Sequence, residues 1–297
     1  MATTATQWSV VTGSTGGLGT EIVKILAARG RNLILLNRSE TKSQTQRDAL
    51  LALHPSLLIE TVTADLMDSG KIATAIEKIK ALPGRVDFLF NNSGVLTAEK
   101  VLSQQGYESQ FAVNVLAGYQ LTWGLKGKMA RSATETAGMV IMLSSSAANA
   151  PKSLDLDALA NPTSVGGLMS TYAQTKLATT ALAPALADQL KEANILIRAI
   201  DPGATKTAMT TGGNTAMPKI LQWLAPLLFK PADKQAMKLI DAVEPAALGG
   251  QTGVFVFNGK IKKMPPSAAD KRTQTALLSR LEDALSGVAA SSATSYT

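Results

Sequence analysis

The chain has 297 residues, of which 45% are hydrophobic and 17% are charged, and this balance suits one large α/β domain. It has no cysteine and one histidine, His54 in a predicted loop, so disulfides, thiol nucleophiles and histidine-rich metal sites are excluded. The formal net charge is +7, but the basic residues are mostly scattered and no aromatic residues interleave with them, so we predict no nucleic-acid partner.

No segment of the sequence has the features of a transmembrane helix or of a secretory signal. No apolar run approaches the roughly 18 residues that a bilayer crossing needs. The beginning, MATTATQWSV, lacks the basic region and long apolar core of a secretory signal. We therefore expect a cytoplasmic protein without a transmembrane segment.

Short apolar runs alternate with longer helical segments along the chain. The candidate strands are 9–12, 32–37, 57–62, 86–91, 139–144, 195–200 and 254–257, and the candidate helices are 17–29, 42–53, 70–81, 104–130, 171–192, 232–242 and 267–285. Nearly continuous apolar runs are typical of strands that are buried on both faces. The alternation predicts an α/β fold: a single Rossmann-type, doubly wound parallel sheet of about seven strands with helices on both faces. We assign 1–287 to this one domain and expect the small, polar segment 288–297 to be a disordered tail.

The first predicted strand runs into a glycine-rich turn, TGSTGGLG at 12–19, and then into a helix. Glycines in such a turn let the backbone approach a pyrophosphate, and the helix N-terminus adds free N–H groups and a favourable dipole. The turn lacks the Gly-Lys-Ser/Thr ending of an ATP or GTP loop and the spacing of the G-x-G-x-x-G fingerprint. We predict that it binds a dinucleotide, through Gly13, Ser14, Thr15, Gly17, Leu18 and Gly19.

Tyr172 and Lys176 lie four residues apart in the predicted helix 171–192, so they share one helix face. A phenol titrates near ~10, and a nearby ammonium favours its ionised form. Lowering this pKa by about 3 units needs roughly 4 kcal/mol, which one close lysine and an oxidised, positively charged nicotinamide could supply. The pair therefore predicts an acid/base centre, although this spacing alone also arises by chance.

Several motifs follow one another along the chain in a fixed order. They are TGSTGGLG, NNSG at 91–94, Asn114 in FAVNVLAG, the serines 144–145, YAQTK and DPGATKT. In this order, over about residues 8–210, they resemble the short-chain dehydrogenase/reductase family, with its T-G-x(3)-G-x-G, N-N-A-G, Y-x-x-x-K and P-G-x-x-x-T motifs. The stretch YAQTKLA and the C-terminal end are most similar to the retinol-dehydrogenase-like branch.

The end of the second predicted strand, LLNRSE, bears on the choice of dinucleotide. An acidic residue there hydrogen-bonds the ribose of NAD, whereas a basic one accommodates the 2′-phosphate of NADP. Asn37 and Arg38 occupy this place, and a guanidinium suits a phosphate in charge and geometry, so we predict NADP(H) rather than NAD(H). The resemblance implies further contacts with the adenine, the ribose and the nicotinamide end, from Asp65, Leu66, Asn92, Gly94, Tyr172, Lys176, Pro202, Gly203, Thr205 and Thr207.

The resemblance also implies a catalytic set: Asn114, Ser145, Tyr172 and Lys176. Tyr172 is expected to be the general acid/base, Lys176 to lower its pKa and bind the nicotinamide ribose, and Asn114 to position a water that supplies protons. A serine is expected to polarise the substrate oxygen. Of the three serines at 144–146 the family pattern uses the second, and strand alternation points Ser145 away from the other two.

The segment after DPGATKT, about 208–230, is the expected substrate lid. Two glycines that could act as a hinge precede apolar residues at helical spacing, which are Met217, Ile220, Leu221, Trp223, Leu224, Leu227, Leu228 and Phe229. This apolar surface indicates a lipophilic or aromatic substrate, but such a stripe can also be core or a subunit contact. The long loop between Ser145 and Tyr172 is expected to cover the mouth of the site.

These observations predict an NADP-dependent carbonyl reductase or alcohol dehydrogenase that interconverts a lipophilic ketone or aldehyde and its alcohol. Two alternatives remain open: a catalytically silent NADP-binding sensor or scaffold, and an isomerase or lyase on the same fold. The intact catalytic set argues against the sensor, which needs only the nucleotide-binding residues. The resemblance further implies a homodimer or homotetramer built on the helices around Asn114 and Tyr172.

Overall fold

The computed structural model describes residues 6–97, 101–160, 167–204 and 230–294. Their strands form one eight-stranded sheet with the order β3-β2-β1-β4-β5-β6-β7-β8. The strands are β1 Gln7–Thr12, β2 Asn32–Asn37, β3 Ile59–Thr63, β4 Arg85–Asn91, β5 Gly138–Leu143, β6 Ile195–Asp201, β7 Val254–Phe257 and β8 Lys260–Lys262. Neighbouring strands pair in parallel except β7 and β8, which are antiparallel. The order reverses between β1 and β4, so the predicted doubly wound Rossmann-type fold is confirmed.

Helices cover both faces of this sheet. They are α1 Gly17–Ala28, α2 Glu40–Leu53, α3 Ser69–Ala81, α4 Ser109–Phe111, α5 Ala117–Met129, α6 Leu156–Ala160, α7 Leu168–Lys191, α8 Ala232–Val243, α9 Pro266–Ala269 and α10 Lys271–Thr294. A π-helical turn, Ala112–Leu116, joins α4 to α5, where the sequence predicts one uninterrupted helix over 104–130. None of the described helices has the length and apolar character that a membrane crossing requires.

Two apolar layers sandwich the sheet. One contains side chains of α3, α5, α7 and α10, such as Ile76, Leu125, Leu186 and Leu281. The other contains side chains of α1, α2 and α8, such as Ile22, Leu50 and Leu239. Because the central strands lie between these layers, both faces of each strand are apolar, and their sequences therefore read as continuous hydrophobic runs.

The structure departs from the sequence predictions at the C-terminal part of the chain. The edge strand β8 was not predicted, because its three residues, KIK, are all exposed and leave no apolar pattern. Helix α10 runs to Thr294, so it includes most of the segment 288–297 that composition predicts as a disordered tail. That segment is rich in alanine, the best helix former, and contains no proline, so its residues can continue the helix. Every other strand begins and ends within two residues of its predicted bounds.

Candidate active site

The glycine-rich turn after β1 is packed too tightly for side chains at two positions. Gly13 has a φ of +64°, and a Cβ there would lie 2.8 Å from the hydroxyl of Ser93. A Cβ on Gly19 would collide with the carbonyl oxygen of Gly13. Gly16 and Gly17 are exposed, and α1 begins at Gly17 without a side-chain cap. The first N–H groups of α1 can therefore donate hydrogen bonds to a bound anion.

Thr12 and Asn92 fasten this turn to the end of β4. The hydroxyl of Thr12 accepts the backbone N–H groups of Asn92 at 3.0 Å and Ser93 at 2.9 Å. The amide of Asn92 donates in return to the carbonyls of Thr12 at 2.8 Å and Gly13 at 3.2 Å. The amide N–H groups of Asn92, which the resemblance places along the cofactor ribose, are thus engaged in holding the turn.

Asn37 supports the same turn from the end of β2. It is buried, and its amide nitrogen donates to the hydroxyls of Ser14 at 2.8 Å and Ser43 at 2.9 Å. Its amide oxygen accepts the backbone N–H of Thr15 at 3.4 Å, and the Ser14 hydroxyl donates to Gln46 at 2.7 Å. Ser14 is fully buried, so its side chain stabilises the turn and does not face outward.

Arg38, next to Asn37, is exposed, and its guanidinium has no hydrogen-bond or ion-pair partner among the described residues. Asp65 and Leu66 follow the neighbouring strand β3 and are half-buried. The carboxylate of Asp65 accepts the backbone N–H of Met67 at 3.0 Å, which shapes the turn there. The guanidinium of Arg38 is therefore available for an external anion.

Tyr172 meets one of the three serines that follow β5. The side chains of Tyr172 and Ser145 are hydrogen-bonded to each other. Ser144 is buried on the α7 side, where its hydroxyl lies 2.5 Å from that of Thr180, and Ser146 is exposed. The structure thus brings the second serine, and not its neighbours, to the phenol.

The ammonium of Lys176 is held at the end of β5. Its Nζ donates to the carbonyl of Leu143 at 2.7 Å and lies 5.6 Å from the centre of the Tyr172 ring. A Cβ on Gly94 would lie 3.7 Å from this Nζ, so the NNSG turn reaches the same point. Burial lowers the pKa of Lys176 to about 8, and the carboxylate of Asp201 opposes that shift.

Burial and two neighbouring side chains shift the pKa of Tyr172. Burial raises it above the ordinary value, the hydrogen bond with Ser145 lowers it, and the charge of Asp201 raises it. Further positive charge near the phenol would be needed to bring its pKa toward neutrality.

Asn114 lies in the π-helical turn between α4 and α5. Its amide oxygen accepts the backbone N–H of Val95 at 2.7 Å, and its amide nitrogen donates to the Val95 carbonyl at 3.0 Å and to Thr175 at 3.1 Å. Its own carbonyl accepts the hydroxyl of Thr179 at 3.0 Å. The side chain therefore fastens the end of the NNSG turn to α7. π-helical turns are frequent at functional sites.

Asp201, the last residue of β6, is a member of this site that the sequence analysis missed. It is buried, and its Oδ1 accepts the backbone N–H of Gly203 at 2.7 Å. Gly203 has a φ of +80°, and a Cβ there would lie 2.5 Å from the amide nitrogen of Gln235, which donates to the carbonyl of Pro202. The sequence does contain a signal for this residue, because an aspartate directly follows the apolar run ILIRAI. The prediction at this place rested only on the Pro-Gly that comes next.

Several predicted features fall outside the described residues. These are Thr205, Thr207 and the lid 208–230 apart from Lys230. The described part of the loop between Ser145 and Tyr172 is attached to the C-terminal helices. The Leu154 N–H donates to Ser267 at 3.1 Å, and Asp157 pairs with Arg280 at 2.5 Å. Its expected position over the mouth of the site stays a prediction.

Known proteins resemble this chain in sequence and in fold. A family model described as short chain dehydrogenase matches residues 7–157. "Short-chain dehydrogenase TIC 32 A, chloroplastic" from Brassica napus is 31% identical over 205 residues, 67% of this chain, and the chain spans only 64% of that relative. Retinol dehydrogenase 13 from Homo sapiens is 29% identical over 267 residues, 88% of this chain and 79% of that protein. A short chain dehydrogenase from Burkholderia cenocepacia, solved in complex with NADP, has a TM-score of 0.65 and 22% identity over 86% of this chain and 96% of that one.

Proposed function

The chain belongs to the short-chain dehydrogenase/reductase family, and from this membership we propose that it is an NADP(H)-dependent oxidoreductase that interconverts a ketone or aldehyde and its alcohol. The observation that carries the proposal is the grouping of Ser145, Tyr172 and Lys176 at the carboxyl end of β5. The glycine-rich turn opens at the same edge of the sheet, where ligands of doubly wound folds bind.

The described residues can bind both charged groups of NADP(H), the pyrophosphate and the 2′-phosphate. The uncapped N-terminus of α1, with Gly16 and Gly17 exposed, would hold the pyrophosphate. The unpaired guanidinium of Arg38 would bind the 2′-phosphate. The Burkholderia structure with NADP supports this choice over NAD(H). Asp65, Leu66, Gly94, Pro202, Gly203, Thr205 and Thr207 remain proposed contacts along the rest of the cofactor.

The protein groups would act on the substrate oxygen. Tyr172 would donate its hydroxyl proton to a carbonyl oxygen in reduction, or accept the proton of an alcohol in oxidation. The hydroxyl of Ser145, already hydrogen-bonded to Tyr172, would hold and polarise the same oxygen. Lys176 would bind the ribose hydroxyls through its ammonium, and the bound cofactor supplies or takes up the hydride.

A lipophilic substrate remains part of the proposal. The name of retinol dehydrogenase 13 refers to a lipophilic alcohol, and that of a Danio rerio relative, polyprenol dehydrogenase, to another; the latter is 26% identical over 271 residues. The homodimer or homotetramer and the cytoplasmic location that we predict from the sequence also remain proposals. The Brassica relative is chloroplastic by its name, so cell fractionation is the relevant check of location.

The proposal is tested by following the absorbance of NADPH or NADH with a panel of lipophilic ketones, aldehydes and quinones, and the reverse reaction with alcohols. We expect faster turnover with NADPH, and a loss of at least ~10²-fold in Tyr172→Phe, because this variant lacks the proton that the carbonyl oxygen receives. Arg38→Ala should remove most of the preference for NADPH and leave the rate with NADH unchanged.

Other outcomes would favour the alternatives. Tight NADPH binding without turnover in either direction would support the silent sensor or scaffold. Conversion of substrate without a net change in nicotinamide absorbance would support an isomerase or lyase. Faster turnover with NADH would contradict the role of Arg38.

A further inference from the structure

Asp201 is a buried carboxylate that the proposed mechanism does not use. Its residue is 3% exposed, and its Oδ1 accepts the Gly203 N–H at 2.7 Å. Its Oδ2 is also buried and has no hydrogen-bond partner within the described residues. A buried carboxylate with an unpaired oxygen is unfavourable unless a positive charge lies close to it.

Strand alternation places Asp201 on the side of the sheet that α7 covers. Ile197 and Ala199, four and two residues earlier on β6, belong to the apolar layer that contains the α7 side chains. Ile200 belongs to the opposite layer. Residues two apart on a strand share a face, so Asp201 lies on the side from which Lys176 reaches the sheet.

Lys176 ends beside this point of the sheet. Its Nζ donates to the carbonyl of Leu143 at 2.7 Å, and Leu143 pairs with Ile200 in the register of β5 and β6. Neighbouring strands lie about 4.8 Å apart, so the carbonyl that binds the ammonium belongs to the strand next to the one that ends in Asp201. The two charges form no direct ion pair, and their attraction acts through a water-poor interior, where it is screened less than in water.

We propose that Asp201 is a positioning residue whose carboxylate keeps the buried ammonium of Lys176 charged at neutral pH, so that Lys176 can bind the nicotinamide ribose. This inference rests on the proposed function, because it assigns Asp201 to the same site.

Three titratable groups lie at this site, and the charge of Asp201 raises the pKa of both Lys176 and Tyr172. Burial lowers the pKa of Lys176 to about 8, and Asp201 raises it. Burial raises the pKa of Asp201, whereas the Gly203 N–H and the charge of Lys176 lower it. Tyr172 is the third titratable member, and its pKa is raised by burial and by Asp201.

No other charged group faces this pair from the described elements that pack around it. The end of β5 presents the carbonyl of Leu143, the NNSG turn presents Gly94, and the π-helical turn presents the amide of Asn114. Arg198, on β6, points to the opposite face, where its guanidinium binds the carbonyl of Ala242. Without Asp201, no negative charge described here would offset the effect of burial on Lys176, and the Leu143 carbonyl would be left as its hydrogen-bond acceptor.

The test is the affinity of the full-length protein for NADPH between pH 6 and 9, measured by the fluorescence of the bound nucleotide in Asp201→Asn. In the parent protein the affinity should fall as the pH rises through about 8, because Lys176 loses its proton. In the variant this fall should move ~1 pH unit lower, so that NADPH binds about threefold more weakly than to the parent at pH 7.5, about 10-fold more weakly at pH 9, and within about twofold of the parent at pH 6. Asp201→Ser serves the same comparison if Asp201→Asn does not fold.

The matched control is Asp241→Asn, which removes one negative charge from an exposed position on α8 and should leave the pH profile unchanged. A loss of affinity that is equal at every pH, or no loss at all, would overturn the inference while leaving the proposed function intact. Failure of the parent protein to bind NADPH at any pH would overturn the proposed function, and this inference with it.

Discussion

Three adjacent serines after β5 differ in what their hydroxyl groups contact. Ser145 is hydrogen-bonded to Tyr172, Ser144 is buried against Thr180 at 2.5 Å, and Ser146 is exposed. One sequence motif thus holds a candidate catalytic group, a structural group and a surface group. The difference follows from the end of the strand, which sends successive side chains in different directions.

Single replacements of these serines should separate the three roles. Ser145→Ala should lower the kcat of carbonyl reduction by about 10²-fold or more, because the substrate oxygen loses a hydrogen-bond donor. Ser146→Ala should leave kcat unchanged. Ser144→Ala should reduce the free energy of unfolding by about 1 kcal/mol, with little effect on kcat. The measurements are steady-state kinetics with NADPH and urea unfolding, and a full-activity Ser145→Ala would contradict the assignment.

At the residue scale, the sequence predicts which side chains lie close together, but it does not reveal the burial that governs their ionisation. The spacing of Tyr172 and Lys176 places them on one helix face, and in the structure the ammonium indeed lies 5.6 Å from the phenol ring. Burial raises the pKa of Tyr172. This burial comes from packing between elements far apart in the sequence, so the helix spacing does not reveal it. Asp201 escaped notice for the same reason, since its proximity to Lys176 exists only in the folded sheet.

At the scale of elements, Arg198 joins β6 to the C-terminal end of α8. It is fully buried, and its guanidinium donates only to backbone carbonyls, those of Ala242, Glu244, Pro245, Ala247 and Gln251, at 2.7–3.2 Å. The last carbonyls of a helix lack intrahelical partners and carry partial negative charge, so a cation satisfies them well. Burial lowers the pKa of this guanidinium. Hydrogen bonds to the carbonyls replace those that the guanidinium would make to water.

Arg198→Met should destabilise the protein by about 3 kcal/mol or more, because several buried carbonyls would lose their donor together. The matched control is Arg280→Met on α10. Arg280 pairs with Asp157, whose side chain is 91% exposed, and such a pair contributes about 0–1 kcal/mol. Urea unfolding of both variants checks the prediction, and equal losses in the two would show that the carbonyl cluster is not a joint between β6 and α8.

At the scale of the whole molecule, the central strands were predictable because both of their faces are buried. Their continuous apolar runs gave seven strands, with bounds within two residues of those observed. The edge strand β8 is exposed and too short to leave a pattern. The packing partners of α10 could not be predicted either. An amphipathic pattern indicates that a helix buries one face, but it does not identify the elements that cover this face.

Helix α10 completes the apolar layer on one side of the sheet. It packs on α7 and α3, and buries Leu277, Leu281 and Ala284 in the layer that also contains α5. Glu282 is hydrogen-bonded to the Tyr119 hydroxyl of α5. The helices around Asn114 and Tyr172, on which the resemblance predicts subunit assembly, therefore share part of their surface with the C-terminal helix of the same chain.

If α10 is an integral part of this layer, removing one of its buried side chains should weaken the whole molecule. Leu281→Ala should lower the free energy of unfolding by about 2–4 kcal/mol, because Leu281 is fully buried and its loss leaves a cavity between α10 and α7. Ser279→Ala, at an exposed position two residues earlier on the same helix, should stay within about 0.5 kcal/mol of the parent. The two variants are compared by urea unfolding, followed by both circular dichroism and tryptophan fluorescence. Trp123 packs beside Tyr119, whose hydroxyl interacts with Glu282 of α10. A cooperative molecule therefore gives coincident transitions, whereas a separately melting C-terminal helix would change the fluorescence first.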